Sequence, residues 1–128
     1  MSLIEWSEKY SVKNFLIDNQ HKKLIGMINE FHSAMKEGKT KNILCDILDG
    51  LIIYTKEHFR TEERMMHEAG YKFFMEHKTE HEKLITKVTE MEKKLKEETL
   101  LTFEMFDFLQ SWLIKHIEKT DKKYSGLI

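Results

Sequence analysis

Four stretches of this chain repeat apolar residues at three- and four-residue steps, and histidines fall on the same stripes. The first runs His21, Leu24, Ile25, Ile28, Phe31, Met35, and the second Leu44, Ile47, Leu48, Leu51, Tyr54, His58, Glu62, Met65. The third runs Phe74, His77, His81, Leu84, Val88, Met91, Leu95, and the fourth Phe103, Phe106, Leu109, Leu113, His116, Ile117. That period belongs to helices that bury one face. With no proline and only five glycines in 128 residues, little in the chain breaks a helix.

Local signals set the expected limits. Asp18 is a candidate N-cap for the first helix and Thr40 for the second, while Gly38 and Gly70 suit the residue just past a helix end. The run Lys96-Glu97-Glu98-Thr99 reads as a charged break. Helices are therefore expected at about 18–37, 41–69, 72–96 and 100–121, with fraying beyond Asp121. Residues 1–17 read as an extended arm pinned by Trp6, Phe15 and Ile17. One domain spanning 1–128 is expected, and its short joints favour an all-α, antiparallel up-down-up-down four-helix bundle with that arm attached.

Charge narrows the function classes. Twenty-one basic and 22 acidic residues leave a net charge of -1, which provides no field to attract nucleic acid or an anionic membrane. No apolar run reaches transmembrane length, and Met1 onward shows no basic segment leading into an apolar one. The single cysteine, Cys45, has no partner for an internal disulfide. A cytoplasmic monomer is the expectation.

Histidine is the unusual component, at seven residues. In an up-down-up-down bundle, the starts of helices one and three meet the ends of helices two and four. His21, His77 and His81 lie near the former, and His58, Glu62, His116 and Asp121 near the latter. At about 1.5 Å per residue, all seven fall at one end of the bundle. One core histidine is ordinarily satisfied by a backbone carbonyl. Five at one level with two carboxylates would cost several kcal/mol each in desolvation if unpaired, and a bound first-row metal removes that cost. Seven ligands exceed the needs of one ion, whereas two ions bridged by the carboxylates would use them all. His67 should face solvent, about 180° around its helix from His58, and His32 lies about three turns too deep. Glu63 and Glu118 are rotated off the interior face and read as solvated, and Glu80 rotates away from the pocket.

One spacing resists a regular helix. His116 and Asp121 are five residues apart, a rotation of about 140°. If both join the cluster, the last turn must widen or unwind, so a π-bulge is expected there.

The segments Ile17-Asp18-Asn19-Gln20-His21, His58-Phe59-Arg60-Thr61-Glu62-Glu63, His77-Lys78-Thr79-Glu80-His81 and His116-Ile117-Glu118-Lys119-Thr120-Asp121 resemble the hemerythrin family, and within it the stand-alone bacterial members. The likeness covers Trp6 to Tyr124; Lys72 follows Gly70-Tyr71 where relatives often carry proline. It implies reversible O2 binding at a non-haem di-iron centre with a bridging oxo or hydroxo group. His77, His81 and His116 would serve one iron and His21 and His58 the other, with Glu62 and Asp121 bridging. O2 would occupy the open position on the second iron, where NO and other small anions are further candidate ligands. Leu113 would project toward that position, with Trp112, Phe59 and Met66 closing an apolar wall that keeps water and protons out.

Three rivals compete with that reading. His77-Lys78-Thr79-Glu80-His81 spells the H-x-x-E-H pattern of inverted zinc peptidases, but that role would leave three other histidines unexplained. A di-iron oxidase or ferroxidase ordinarily uses a carboxylate-rich set, whereas this one is rich in histidine. An O2 or NO sensor would need a separate partner to read it. Oxygen carriage, storage or delivery, without enzymatic turnover, is the leading expectation.

Overall fold

The computed structural model describes residues 4–98, 100 and 102–128. Four helices follow one another: α1 Phe15–Lys36, α2 Lys41–Glu68, α3 Phe74–Lys96 and α4 Thr102–Lys115. No strand occurs among the described residues. α1 packs on α2 and α4, and α3 packs on the same two. The result is the all-α bundle that the apolar stripes require.

Chain chemistry explains the starts of α1, α2 and α3; α1 and α3 start elsewhere than expected, and α4 runs only over Thr102–Lys115 instead of 100–121. α1 starts three residues before Asp18, because the Asn14 carboxamide accepts the Ile17 N–H at 3.1 Å and caps the helix. Asp18, one turn in, binds the arm instead. Its carboxylate accepts from the Ser11 hydroxyl at 2.6 Å and the Val12 N–H at 2.9 Å. Thr40 caps α2 through the Ile43 N–H. Gly38 and Gly70 take φ of +72° and +66°, which glycine adopts without a Cβ penalty. After Gly70 the chain makes one further turn, closed by Phe74 N–H to Tyr71 O, so α3 begins at Phe74 and not Lys72. The expected break at 96–99 contains the α3 C-cap, Glu97; Thr99 lies outside the described residues.

The core follows the stripes with substitutions of phase. Leu24, Ile28, Phe31, Leu48, Leu51, Leu84, Val88, Leu95, Phe106, Leu109 and Leu113 are buried together. Phe103, by contrast, is 62% exposed, and Met105 is fully buried in its place. The arm is pinned by Tyr10, Val12 and Ile17, with Trp6 partly buried; Phe15 points outward at 84% exposure. The Asn29 carboxamide clamps the arm at both backbone groups of Ile4. His32 is buried beside Phe106, and His67 is exposed. No helix among the described residues is long and apolar enough to cross a membrane.

Candidate metal centre

The end of α4 is where regular geometry gives way. Beyond Lys115 the backbone widens into a π-helical segment, His116–Thr120, and the Asp121 N–H reaches the His116 carbonyl. Closing the turn over five residues lets His116 and Asp121 face the same interior volume, as their spacing demanded. The chain does not fray there. It tightens into a 3₁₀ turn, Asp121–Tyr124, which buries the Tyr124 ring completely.

All five histidines and both carboxylates converge, and each is at most 3% exposed. They form two groups that share a carboxylate, one of Glu62, His77, His81, His116 and Asp121 and one of His21, His58 and Glu62. The carboxylates divide their oxygens between the groups. Glu62 Oε1 lies 3.1 Å from His77 Nε2 and 3.0 Å from His81 Nε2, while Oε2 lies 3.4 Å from His58 Nε2 and 3.6 Å from His21 Nε2. Asp121 Oδ1 lies 2.9 Å from His77 Nε2 and 3.0 Å from His116 Nε2, and Oδ2 lies 3.0 Å from His21 Nε2.

Hydrogen-bond chemistry tests whether a cation belongs here. The Nδ1–H of His81 donates to Glu63 Oε2 at 2.7 Å, and that of His116 donates to Glu80 Oε1 at 2.5 Å. With Nδ1 protonated on both rings, the two Nε2 atoms face each other at 3.1 Å, so no more than one of them can carry a proton and at least one is a bare lone pair. Both Asp121 oxygens and His21 Nε2 are buried without a hydrogen-bond partner. Lone pairs aimed at one point repel unless a positive ion stands between them. Donor atoms about 3 Å apart are also what neighbouring ligands show at bond lengths near 2.1 Å. The donor set fits two transition-metal ions.

The titration behaviour agrees. Burial alone would lower the histidine pKa values, but Asp121 and Glu62 outweigh it and push His21 and His77 up to about 9. His116 reaches about 10 with help from Glu80. At His58 burial prevails and the pKa falls. Burial opposes the charges of Glu62 and Asp121, but the surrounding imidazoles hold both carboxyls below their usual range. The two anions thus attract positive charge as protons when no metal provides it, and metal binding must release those protons.

An apolar cavity of about 30 Å³ adjoins the cluster, lined by Leu24, Ile28, Leu51, Phe59, Leu109, Trp112 and Leu113, among others. Phe59 stacks on His81 with centroids 3.6 Å apart, and Trp112 stacks on His116 at 4.3 Å. Met66 is not part of this wall. It packs with Val12, Ile17, Tyr71 and Tyr124 in a separate cluster, because its phase on α2 turns it toward the arm and the C-terminal turn.

Four contributors escaped the sequence reading. Glu63, expected to be solvated, and Glu80, expected to turn away from the pocket, each hold a histidine Nδ1–H, although both keep contact with water. Glu118 does remain exposed. Gln20 Oε1 accepts the His58 Nδ1–H at 2.7 Å. The Tyr124 hydroxyl donates to Glu62 Oε2 at 2.6 Å, and its ring stacks on His77. Tyr124 could have been found from its spacing, since side chains three apart eclipse in a 3₁₀ turn.

Comparison with known proteins agrees with this geometry. Residues 13–128 match the family model described as the hemerythrin HHE cation binding domain. The chain is 34% identical to the bacteriohemerythrin of Pseudomonas aeruginosa (strain LESB58), covering 97% of this chain and 80% of that protein. It is 34% identical to that of Methylococcus capsulatus, over 97% and 95% of the two chains. Myohemerythrin-1 of Phascolopsis gouldii is 32% identical, over 94% and 91%. A crystal structure of wild-type hemerythrin superposes with a TM-score of 0.90 at 31% identity, covering 98% of each chain.

Proposed function

Because this chain belongs to the hemerythrin family, we propose that it binds O2 reversibly at a non-haem di-iron centre, for oxygen carriage, storage or delivery. When loaded, two ferrous ions would supply the reversible electron transfer that O2 binding requires. Its work is binding, not turnover. The observation that carries the reading is the division of Glu62 and Asp121, each with one oxygen toward the three-histidine group and one toward the two-histidine group.

In this assignment His77, His81 and His116 would hold one iron, His21 and His58 would hold the other, and Glu62 and Asp121 would serve both together with an oxo or hydroxo group. The first position would then have five protein ligands and the second four, which would leave the second open to a diatomic ligand. NO and small anions are expected to compete there. Leu113, Phe59 and Trp112 make the approach apolar and exclude the water and protons that would convert bound O2 to released product. The Tyr124 proton stays on its oxygen, because burial and the neighbouring Asp121 and Glu62 charges push its pKa upward. Glu80 is committed to His116 and Thr120, so it is not free to act as a peptidase base. Five imidazoles against two carboxylates also suit retention of ferrous iron better than ferroxidase chemistry.

The test is anaerobic ferrous loading followed by air exposure and degassing, with iron content and visible absorption measured together. Two irons per chain and a charge-transfer band that develops in air and is lost on degassing are expected. One metal per chain, or irreversible oxidation in the first cycle, would overturn the proposal. Sedimentation of the loaded protein is expected to give a monomer.

A further inference from the structure

The H-x-x-E-H segment leaves one residue unused. Glu80 lies between two ligand histidines on α3, but it reaches across to α4 instead of into the cluster. Its Oε1 accepts the His116 Nδ1–H at 2.5 Å and the Thr120 hydroxyl at 2.9 Å. Thr120 belongs to the π-helical segment that brings Asp121 inward, so one carboxylate ties that segment to α3. Glu63, next to bridging Glu62, does the same for His81 at 2.7 Å.

The two-histidine group has no such backing. His58 Nδ1 donates to the neutral carboxamide of Gln20, and His21 Nδ1 is buried without a partner. In the three-histidine group only His77 Nδ1 is left in that state. Two anions therefore stand behind one iron position and none behind the other. An imidazole that donates to a carboxylate is the more basic ligand, and negative charge nearby favours the higher oxidation state of the ion it holds. The aromatic wall fixes the same two rings. Phe59 lies 2° from coplanar with His81 and Trp112 15° from coplanar with His116. Each ring is thus held by its face as well as by its Nδ1–H.

We propose that Glu63 and Glu80 are positioning residues that make the two iron sites electronically unequal, stabilising ferric iron at the three-histidine position while neutral Gln20 leaves the two-histidine position as the softer, ligand-binding one. The inference rests on the di-iron reading and adds which residues set the poise of each ion.

Glu63→Gln and Glu80→Gln keep an acceptor at each Nδ1–H and remove only the charge, whereas Gln20→Glu adds a charge behind His58. Iron content and midpoint potential are measured on each loaded variant by anaerobic redox titration. Each Glu→Gln change is expected to shift the ferric-to-ferrous ratio about tenfold toward ferrous, equivalent to about 59 mV for a one-electron couple. Gln20→Glu is expected to shift it the opposite way. The second readout uses zinc in place of iron and follows the histidine ring nitrogens by NMR. The proton is expected on Nδ1 of His81 and His116, with the His116 Nδ1–H resonance moving upfield in Glu80→Gln while that of His58 stays in place. Two irons per chain with unchanged potentials, or all three variants shifting alike, would overturn the inference and leave the di-iron reading intact. So would zinc-loaded protein with the proton on Nε2. Wild-type protein that fails to take up two irons would instead overturn the reading beneath it.

Discussion

Two tyrosines in one small cluster offer a direct measure of what the buried carboxylates demand. Tyr71 and Tyr124 pack edge to face with centroids 6.1 Å apart at 86°. Tyr124 is fully buried, and its hydroxyl donates to Glu62 at 2.6 Å. The Tyr71 hydroxyl is buried with no hydrogen-bond partner. Replacing either by phenylalanine removes one oxygen and leaves the rings in place. In the apoprotein Tyr124→Phe deletes a hydrogen bond to a charged acceptor, worth about 1.5–3 kcal/mol. For a domain of this size that lowers the thermal midpoint by roughly 5–12 °C. Tyr71→Phe removes an unsatisfied polar group and is expected to be neutral or stabilising by up to about 1 kcal/mol. Urea unfolding of the two metal-free variants beside the parent, followed by circular dichroism, reads the difference. Equal stabilities, or the greater loss at Tyr71, would refute the claim that Tyr124 is held by Glu62 rather than by packing.

The cavity wall and the far end of the bundle give two further tests. Leu113 is one turn before His116 and lines the apolar cavity. Leu113→Ala is expected to quicken autoxidation of the oxygenated protein and to cost about 2–5 kcal/mol in unfolding free energy; an unchanged autoxidation rate would remove Leu113 from the gate. Near the opposite end, burial and the hydrogen-bonded Asp49 carboxylate raise Glu92 to about 7, only partly offset by Lys96 at 3.9 Å. Folding therefore favours the protonated acid, a contribution present at low pH and lost as pH rises from about 4.5 through 7. That displacement corresponds to at most about 3 kcal/mol, and solvent contact reduces it to about 1–2 kcal/mol. Glu92→Gln should stabilise the protein by that amount at pH 8 and leave it unchanged near pH 4.5, as read by denaturant titration at both values.

The histidines that converge here were legible because the angle of a side chain around its own helix is a local property. Residues four apart share a face, so His58 pairs with Glu62 and His77 with His81, and the five-residue step from His116 to Asp121 calls for a widened turn. What neighbouring helices offer to the outer side of each imidazole could not be read in that way. Glu63 and Glu80 sit off the interior face of their own helices, yet packing brings each within reach of a ring nitrogen from another helix. Met66 and Phe103 show the same limit for apolar groups, since the stripe on one helix does not say which side its neighbours cover. Sequence alone determined which donors gather at the centre, because that depends on helical phase and chain order. Tertiary structure decided which atoms stand behind them, because those distances exist only once separate helices are packed.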